Sequence, residues 1–319
     1  MRPTVDILLA TYNGGKYLGE LLASLLQQTY RNLHILIRDD GSKDDTVKIL
    51  REYEAVSDGR IEIITDDRGN LGVTNNMFCL LTHSRAPYVM FCDQDDVWMP
   101  DKVATLLKAI RLKEKQFGSQ SILVHADAVT VDENLKPVSP DAKKSLTSYQ
   151  TGRDKRKNSF VQLLLCNTAQ GASMIFNRKL VEELEPIMHA ILPNHVIYDS
   201  ITASVCSISG HVFYLARPLM YYRQHGRNLV GAKKRSIWKL PFYDATGQEE
   251  VRTAHFLSFN HKKGNILLKY YQNRMSKWQK DVIRHFDTGA CDWKAFYALH
   301  LDREFTPFEQ ILMRTIGID

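Results

Sequence analysis

The alternation of apolar and polar segments in the first hundred or so residues predicts an α/β fold. Four short apolar runs, each as long as a buried strand, cover residues 5–10, 33–37, 61–64 and 88–92. The segments between them repeat their apolar residues with a helical period. Strands joined by helices of this length form right-handed crossovers. We therefore expect a mainly parallel, Rossmann-like sheet flanked by helices.

The most unusual polar residues follow directly after three of the predicted strands. In open α/β sheets the carboxyl ends of the strands share one edge, and ligands bind in the crevice outside that edge. The three groups should therefore meet in one cleft. They are Thr11, Tyr12 and Asn13 after the first strand, Asp39 and Asp40 after the second, and Asp93 to Asp96 after the fourth.

The acidic segment Asp93-Gln94-Asp95-Asp96 points to a metal ion. Carboxylates crowded at the exit of a buried strand repel one another and lose solvation. Such a cluster is typical of a divalent cation held by oxygen ligands. For any one of these residues a capping role at a turn or helix is an equally good interpretation. The cluster as a whole favours the metal.

Two common nucleotide-binding motifs are missing. No G-x-G-x-x-G follows the first strand, and no G-x-x-x-x-G-K-[ST] occurs, which argues against dinucleotide and Walker-type sites. The residues suit a nucleoside diphosphate bridged by Mg²⁺ or Mn²⁺ instead. Asp40 could accept from a pyrimidine N3–H and Tyr12 could pack on the base. Asp93 and Asp95 could hold the ion.

Several spaced motifs resemble one enzyme family. LLATYNGGKYL, RDDGSKDDT, GNLG and FCDQDDVWMPDK are similar to the inverting family 2 glycosyltransferases with the GT-A fold. DQDDVW, YDSITASV and YYRQHGRN resemble the bacterial rhamnosyltransferase branch most. The resemblance implies a nucleotide-sugar donor, dTDP-rhamnose or alternatively a UDP-sugar, with a divalent ion and inversion. The implied acceptor is a polysaccharide or lipid-linked glycan.

The resemblance also assigns individual residues. Asp199 matches the family's general base, with Tyr198 where members often carry His. The alternative role for Asp199 is a helix cap. The other assignments from the resemblance are Tyr12 and Asp40 for the base, Thr11, Asn13 and Asp93 for the donor, and Asp95 for the metal. Asn70 of GNLG is a further candidate for the donor. In the basic loop after a later strand, Arg223, His225 and Arg227 could contact the diphosphate and His225 could complete the metal shell, and the alternative for His225 is an ordinary surface-loop residue.

The later parts of the chain are less specific. Residues 1–230 form the predicted catalytic domain and 231–319 a mostly helical extension. In that extension, residues 264–286 read as one helix with an apolar face, docked on the catalytic domain or on a second subunit. Contact with an anionic membrane surface is the alternative. Residues 167–176 read as a strand, and the basic segment 141–158 as a solvated loop or a lid.

Composition leaves this picture intact. The formal charge of +6 fits an anionic ligand or membrane surface and does not require nucleic acid. Five scattered cysteines without CxxC spacing are typical of reduced thiols. No signal peptide or spanning segment is recognisable. We expect a cytoplasmic protein, peripheral at most on the inner membrane face. Two rival classes remain, a nucleotidyltransferase that would need Lys16 at a triphosphate, and a scaffold without turnover.

Overall fold

The structure is a computed structural model that describes residues 2–138, 158–166, 168–193, 196–226 and 262–287. The predicted loop or lid lies outside these ranges except for Asn158. Arg227 and the extension residues 231–261 and 288–319 also lie outside them.

Within the described residues, eight strands form one sheet in the order β3-β2-β1-β4-β7-β6-β8-β5. The strands are β1 (Val5–Thr11), β2 (Leu33–Asp39), β3 (Ile61–Ile63), β4 (Tyr88–Cys92), β5 (Val97–Trp98), β6 (Ile122–Val131), β7 (Met174–Asn177) and β8 (His211–Arg223).

Helices cover both faces of this sheet. They are α1 (Gly15–Leu26), α2 (Thr46–Ala55), α3 (Val73–His83), α4 (Lys102–Phe117), α5 (Phe160–Cys166), α6 (Arg178–Met188), α7 (Tyr198–Ser209), α8 (262–271) and α9 (Lys277–Asp287). A short 3₁₀ turn, Gly171–Ser173, leads into β7.

The first four strands are parallel, as predicted. β1 pairs with β2 and with β4 in parallel, and β2 pairs with β3 in parallel. Thr11 lies opposite Asp39, and Leu9 lies opposite Cys92. The register therefore brings the three polar segments to one edge. β7 runs antiparallel to both β4 and β6. The predicted fold class, an α/β sheet of mainly parallel strands between helices, is confirmed.

The central strand β1 is apolar except for Asp6 and Thr11, because both of its faces are covered. Successive side chains of a strand point to opposite faces. Leu8 and Ala10 join the apolar layer that contains α3, α6 and α7. Ile7 and Leu9 join the layer under α1 and α4. Continuous apolar runs of this kind are typical of parallel strands buried on both sides.

The prediction of one helix over residues 264–286 is wrong in its continuity. The structure has α8 and α9 with a break before Lys277. Ser276 Oγ accepts from Gln279 N at 3.1 Å, and Ser276 N donates to Gln279 Oε1 at 2.9 Å. This is a capping box, so the S-x-x-Q spacing marks the start of a new helix.

The strand predicted over residues 167–176 is also too long. Only Met174–Asn177 is extended, because Gly171–Ser173 forms the 3₁₀ turn. Among the described helices, none has the length and apolar character needed to cross a membrane.

Candidate active site

Side-chain hydrogen bonds tie the loop after β1 to the loop after β2. Thr11 Oγ1 donates to Asp39 Oδ1 at 2.9 Å, and Asn13 N donates to Ser42 Oγ at 2.8 Å. The Asn13 side chain accepts from Lys43 N at 2.8 Å. Asn13 itself has a φ of 47°, a left-handed conformation that asparagine tolerates better than most residues. Thr11 and Asn13 thus shape the wall of the cleft.

Gln94 connects the same loop to the acidic segment. Tyr12 N donates to Gln94 Oε1 at 2.9 Å, and Gln94 Nε2 donates back to Tyr12 O at 3.1 Å. The Gln94 amide thus makes the same pair of hydrogen bonds to the Tyr12 backbone that a neighbouring strand would make. The Tyr12 ring is left 49% exposed at the cleft. An exposed ring held by its own backbone is well suited to pack on a planar base.

Asp40 is buried and organises the GNLG loop. Its Oδ1 accepts from Arg38 Nη1 and from Leu71 N, both at 2.8 Å, and its Oδ2 accepts from Gly72 N at 2.8 Å. Asn70 Nδ2 donates to the Asp40 carbonyl at 2.9 Å. A carboxylate has about four acceptor positions. The described residues use three of these positions and the Asp40 side chain is only 4% exposed, so its contact with a pyrimidine N–H stays a prediction.

The acidic segment is crowded, and its Asp96 is fully buried. Burial, with the nearby charge of Asp95, raises the pKa of Asp93 to about 7. Burial and the charges of Asp95 and Asp93 raise the pKa of Asp96 well above its usual value. Asp96 Oδ2 is buried without a hydrogen-bond partner among the described residues. A divalent cation would reverse these shifts, because its charge favours the ionised carboxylates.

The structure brings Asp95 and His225, two of the predicted metal ligands, into contact. Asp95 Oδ2 lies 2.8 Å from His225 Nε2. The His225 ring stacks on Tyr17, with 5.0 Å between the ring centroids. No group of three or more His, Cys, Asp or Glu side chains in the described ranges is arranged to hold a metal. Mg²⁺ sites commonly use only one or two carboxylates and complete the shell with substrate phosphates and water.

Lys102 is a buried residue of this region that the sequence did not single out. Its side chain is fully buried, and Nζ donates to Ala172 O at 2.5 Å. Nζ also lies 3.4 Å from the centroid of the Trp98 ring, a cation–π contact. Burial lowers the pKa of Lys102 to about 7, while Cys92, Asp96 and Asp93 act in the opposite direction. In the sequence, the only sign of its burial was that Lys102 shares a helical face with Leu106 and Ile110 of α4.

Arg223 lies beneath the site rather than open to it. Its side chain is almost fully buried, and Nε donates to the Asp95 carbonyl at 2.9 Å. The guanidinium also donates to Glu133 O and pairs with Glu20, and it packs over the Tyr17 ring. It thus fixes the loop that carries Asp95. The predicted diphosphate contact stays a prediction.

Asp199 and Tyr198 lie at the start of α7, next to the acidic segment. Tyr198 OH donates to Asp93 Oδ1 at 2.5 Å. Asp199 Oδ2 accepts from Gly171 N at 2.9 Å. The N-cap position of α7 is Ile197, so Asp199 is the second helical residue and not the cap. Tyr198 contacts Asp93, the first acid of the D-x-D, and the next residue is Asp199, the predicted base. The first turn of α7 therefore brings the two acids close together.

Gly171 is a position where no side chain fits. A Cβ there would lie 2.4 Å from Tyr198 Cε2 and 2.6 Å from its hydroxyl oxygen.

We expect Gly171→Ala to reduce the free energy of unfolding by about 1–3 kcal/mol through overpacking. Urea denaturation measures this. Gly19→Ala in α1 is the matched control. There a Cβ meets only Tyr53 OH, at 3.8 Å, and should stabilise the helix by about 0.5–1 kcal/mol. Equal effects of the two changes would contradict the packing argument.

Comparison with known proteins agrees with this geometry. Residues 6–185 match the model of glycosyl transferase family 2. The match covers more than half of the chain, so the protein belongs to this family and is a glycosyltransferase. Asp199 and His225 lie beyond the matched residues.

Three individual comparisons add detail. RfbG of Shigella flexneri, a dTDP-rhamnosyl transferase, is 24% identical over 231 residues, 70% of this chain and 74% of RfbG. WfaP of Escherichia coli, a UDP-Glc:α-D-GlcNAc-diphosphoundecaprenol β-1,3-glucosyltransferase, is 31% identical over 127 residues, 39% of this chain and 48% of WfaP. The crystal structure of S. aureus TarS 1–349 in complex with UDP-GlcNAc has a TM-score of 0.57 at 16% identity, covering 98% of this chain and 79% of that one.

Proposed function

We propose that this glycosyltransferase moves L-rhamnose from dTDP-rhamnose, with inversion, to a hydroxyl of a growing lipid-linked polysaccharide at the inner membrane face. One observation carries the proposal. The 2.5 Å hydrogen bond from Tyr198 to Asp93 places the Asp199 helix against the acidic segment. Asp199, the proposed base for the acceptor hydroxyl, and Asp93, on the donor side, thus border the same cleft, as a single-displacement transfer requires.

The donor end is assigned to the loops around Tyr12 and Asp40. The exposed ring of Tyr12 packs on the nucleotide base, and Asp40 accepts the base N–H. Asn70 holds the GNLG loop through the Asp40 carbonyl, at 2.9 Å. Thr11 and Asn13 keep the adjoining loops in place. These contacts orient the donor so that its diphosphate lies toward Asp93 and Asp95.

Asp95 and His225 would hold Mg²⁺ or Mn²⁺, with Asp93 close by. When bound, the ion acts as a Lewis acid toward the leaving diphosphate, which makes it a better leaving group. Gln94 and Arg223 hold the Asp95 loop in place, through hydrogen bonds to Tyr12 and to the Asp95 carbonyl.

Asp199 is the general base. The acceptor oxygen forms a bond to the anomeric carbon as the bond from that carbon to the diphosphate oxygen breaks. The acceptor proton goes to the Asp199 carboxylate, and the electron pair of the broken bond goes to the diphosphate. Attack on the face opposite the leaving group inverts the anomeric centre. Base catalysis of this kind is worth about 10²–10⁴-fold in rate.

The relatives support two donors. Similarity to RfbG supports dTDP-rhamnose over most of the chain, and similarity to WfaP supports a UDP-sugar with a diphosphoundecaprenol-linked acceptor over a shorter segment. The longer coverage favours the first. The positive charge of +6 agrees with an anionic donor and an acidic membrane surface.

A donor screen tests the proposal. The protein is incubated with a diphosphoundecaprenol-linked glycan and dTDP-rhamnose, UDP-glucose or UDP-GlcNAc, with and without Mn²⁺, and sugar-extended product is measured by mass spectrometry. We expect the largest yield from dTDP-rhamnose with Mn²⁺. Product from UDP-glucose alone would move the donor to the UDP class. A parallel incubation contains dTTP and rhamnose 1-phosphate instead of a nucleotide sugar. Formation of dTDP-rhamnose there, without transfer to the glycan, would identify a nucleotidyltransferase.

A further inference from the structure

The helix that carries Asp199 is held at both ends by the C-terminal helices. α7 is buried along nearly its whole length, from Tyr198 to Ile208. α8 and α9 pack against it, and their Leu267, Tyr271 and Val282 belong to the same apolar cluster as Tyr198. α8 and α9 also lie close to each other, since a Cβ on Gly264 of α8 would be 2.8 Å from Ile283 Cγ2 of α9.

At the N-terminal end of α7 the contact is a buried lysine. Lys263 of α8 has no exposed surface. Its Nζ donates to Ser200 Oγ at 2.8 Å and to Leu163 O at 3.2 Å. Ser200 is the residue after Asp199. A lysine is almost never fully buried unless it is paired, and an apolar residue would fill the same space without desolvating a charge. The lysine therefore holds the first turn of α7 at a specific place.

At the C-terminal end the contact is the capping box of α9. The Gln279 side chain bonds to its own helix start through Oε1, as described above. Its Nε2 donates to Ser207 O at 3.4 Å and to Ile208 O at 3.3 Å. Carbonyls in the last turn of a helix have no partner within that helix. Gln279 thus joins the start of α9 to the end of α7.

We propose that α8 and α9 are a positioning element for α7 and that Lys263 is a positioning residue for Asp199. This inference rests on the proposed role of Asp199 as the base. It means that the catalytic unit includes residues 262–287, although the chain between 227 and 261 separates them from β8 in sequence. A membrane or subunit contact made by α8 and α9 would then act directly on the base-bearing helix.

Lys263→Met tests the inference. Met keeps the length and the apolar stem, so α8 should stay packed, but it removes the donor to Ser200. A reacting group displaced by about 1 Å loses roughly 10²-fold in rate. We expect kcat for transfer to fall about 10- to 100-fold, with donor KM within about twofold of wild type. The change leaves Ser200 Oγ and Leu163 O without this donor, so the melting temperature should fall somewhat, and kcat is compared at a temperature where both proteins are fully folded. Lys269→Met, at an exposed position of the same helix, should leave all three values unchanged.

A loss of activity that merely followed a loss of folded protein would overturn the inference, whereas a fall in kcat that persists where the variant is fully folded supports it. An unchanged kcat in a folded Lys263→Met would overturn it as well. If that variant does not fold, Ser200→Ala decides, because it deletes only the hydroxyl that accepts from Lys263. It should lower kcat in the same direction by a smaller factor, and wild-type kcat would overturn the inference.

The double variant Lys263→Met/Asp199→Asn separates this inference from the proposed function. If Lys263 acts through Asp199, it should cause no further loss once Asp199 is replaced. A further loss equal to that of Lys263→Met in the wild type would show an independent role and overturn the inference alone. Wild-type transfer by Asp199→Asn would overturn the role of Asp199 as the base, on which this inference rests, whatever Lys263→Met does.

Discussion

Asp95→Asn should reduce sugar transfer by about 10²–10³-fold and remove most of the metal dependence of donor binding. Asn keeps the shape of Asp, and its Oδ1 can still face His225, which lies 2.8 Å from Asp95 Oδ2. The change removes the negative charge that attracts the cation. Charge stabilisation by a metal is worth several kcal/mol, and each 1.4 kcal/mol or so is a factor of ten in rate. Titration calorimetry with dTDP, with and without Mn²⁺, measures the binding part.

Asp101→Asn is the matched control for this prediction. Asp101 follows the same acidic segment but points away to a partly exposed ion pair with Arg217. Asp101→Asn should leave both sugar transfer and the metal dependence of dTDP binding unchanged. If Asp95→Asn bound dTDP with the wild-type dependence on Mn²⁺, Asp95 would not be the metal ligand and Asp93 or Asp96 would take its place.

The parallel half of the fold could be predicted because its signal is local. Strands buried on both faces need uninterrupted apolar runs, and the run Tyr88–Cys92 coincides with β4. The polar segments had to meet, because parallel strands end at one edge. Thr11 and Asp39 are register partners, and their side chains are hydrogen bonded at 2.9 Å. Position along the chain was therefore enough to predict the cleft.

The buried cations could not be predicted, because nothing local distinguishes them from surface residues. Lys102, Arg223 and Lys263 are each fully or almost fully buried. Their partners are distant in sequence, as with Lys263 and Leu163, or Arg223 and the Asp95 carbonyl. A basic side chain in an amphipathic segment is normally solvated. Only the assembled fold shows that these three are held inside by specific acceptors.

Tyr198 is an intermediate case. Its place before Asp199, where the resembling family often has His, marked it as unusual. No sequence pattern explains why a tyrosine stands there. The reason is spatial, since the hydroxyl reaches Asp93 at 2.5 Å and the ring lies against Gly171. A hydrogen bond between residues so far apart in the chain depends on the antiparallel insertion of β7 beside β4, which no local pattern specifies.

Asp199→Asn should lower kcat and kcat/KM together by about 10²–10⁴-fold, because it removes the group that accepts the acceptor's proton. The amide oxygen of Asn can still accept from Gly171 N, the partner of Asp199 Oδ2 at 2.9 Å. The first turn of α7 should therefore keep its position. Steady-state kinetics with the glycan acceptor measure the loss. Calorimetry with dTDP should give wild-type affinity, and the melting temperature should stay close to wild type.

The matched control is Asp127→Asn, which changes another buried acid of the same sheet, one that accepts a hydrogen bond from the Tyr214 hydroxyl. It should leave kcat close to wild type. Raising the pH should not restore activity to Asp199→Asn, because its amide cannot become a base at any pH in the working range. Transfer by Asp199→Asn at near the wild-type rate would show that Asp199 only supports the turn at Gly171. The base would then have to be sought at Asp96, Asp127 or Glu133. Of these, Glu133 is the least suited, since it is exposed and pairs with Lys16 at 2.8 Å.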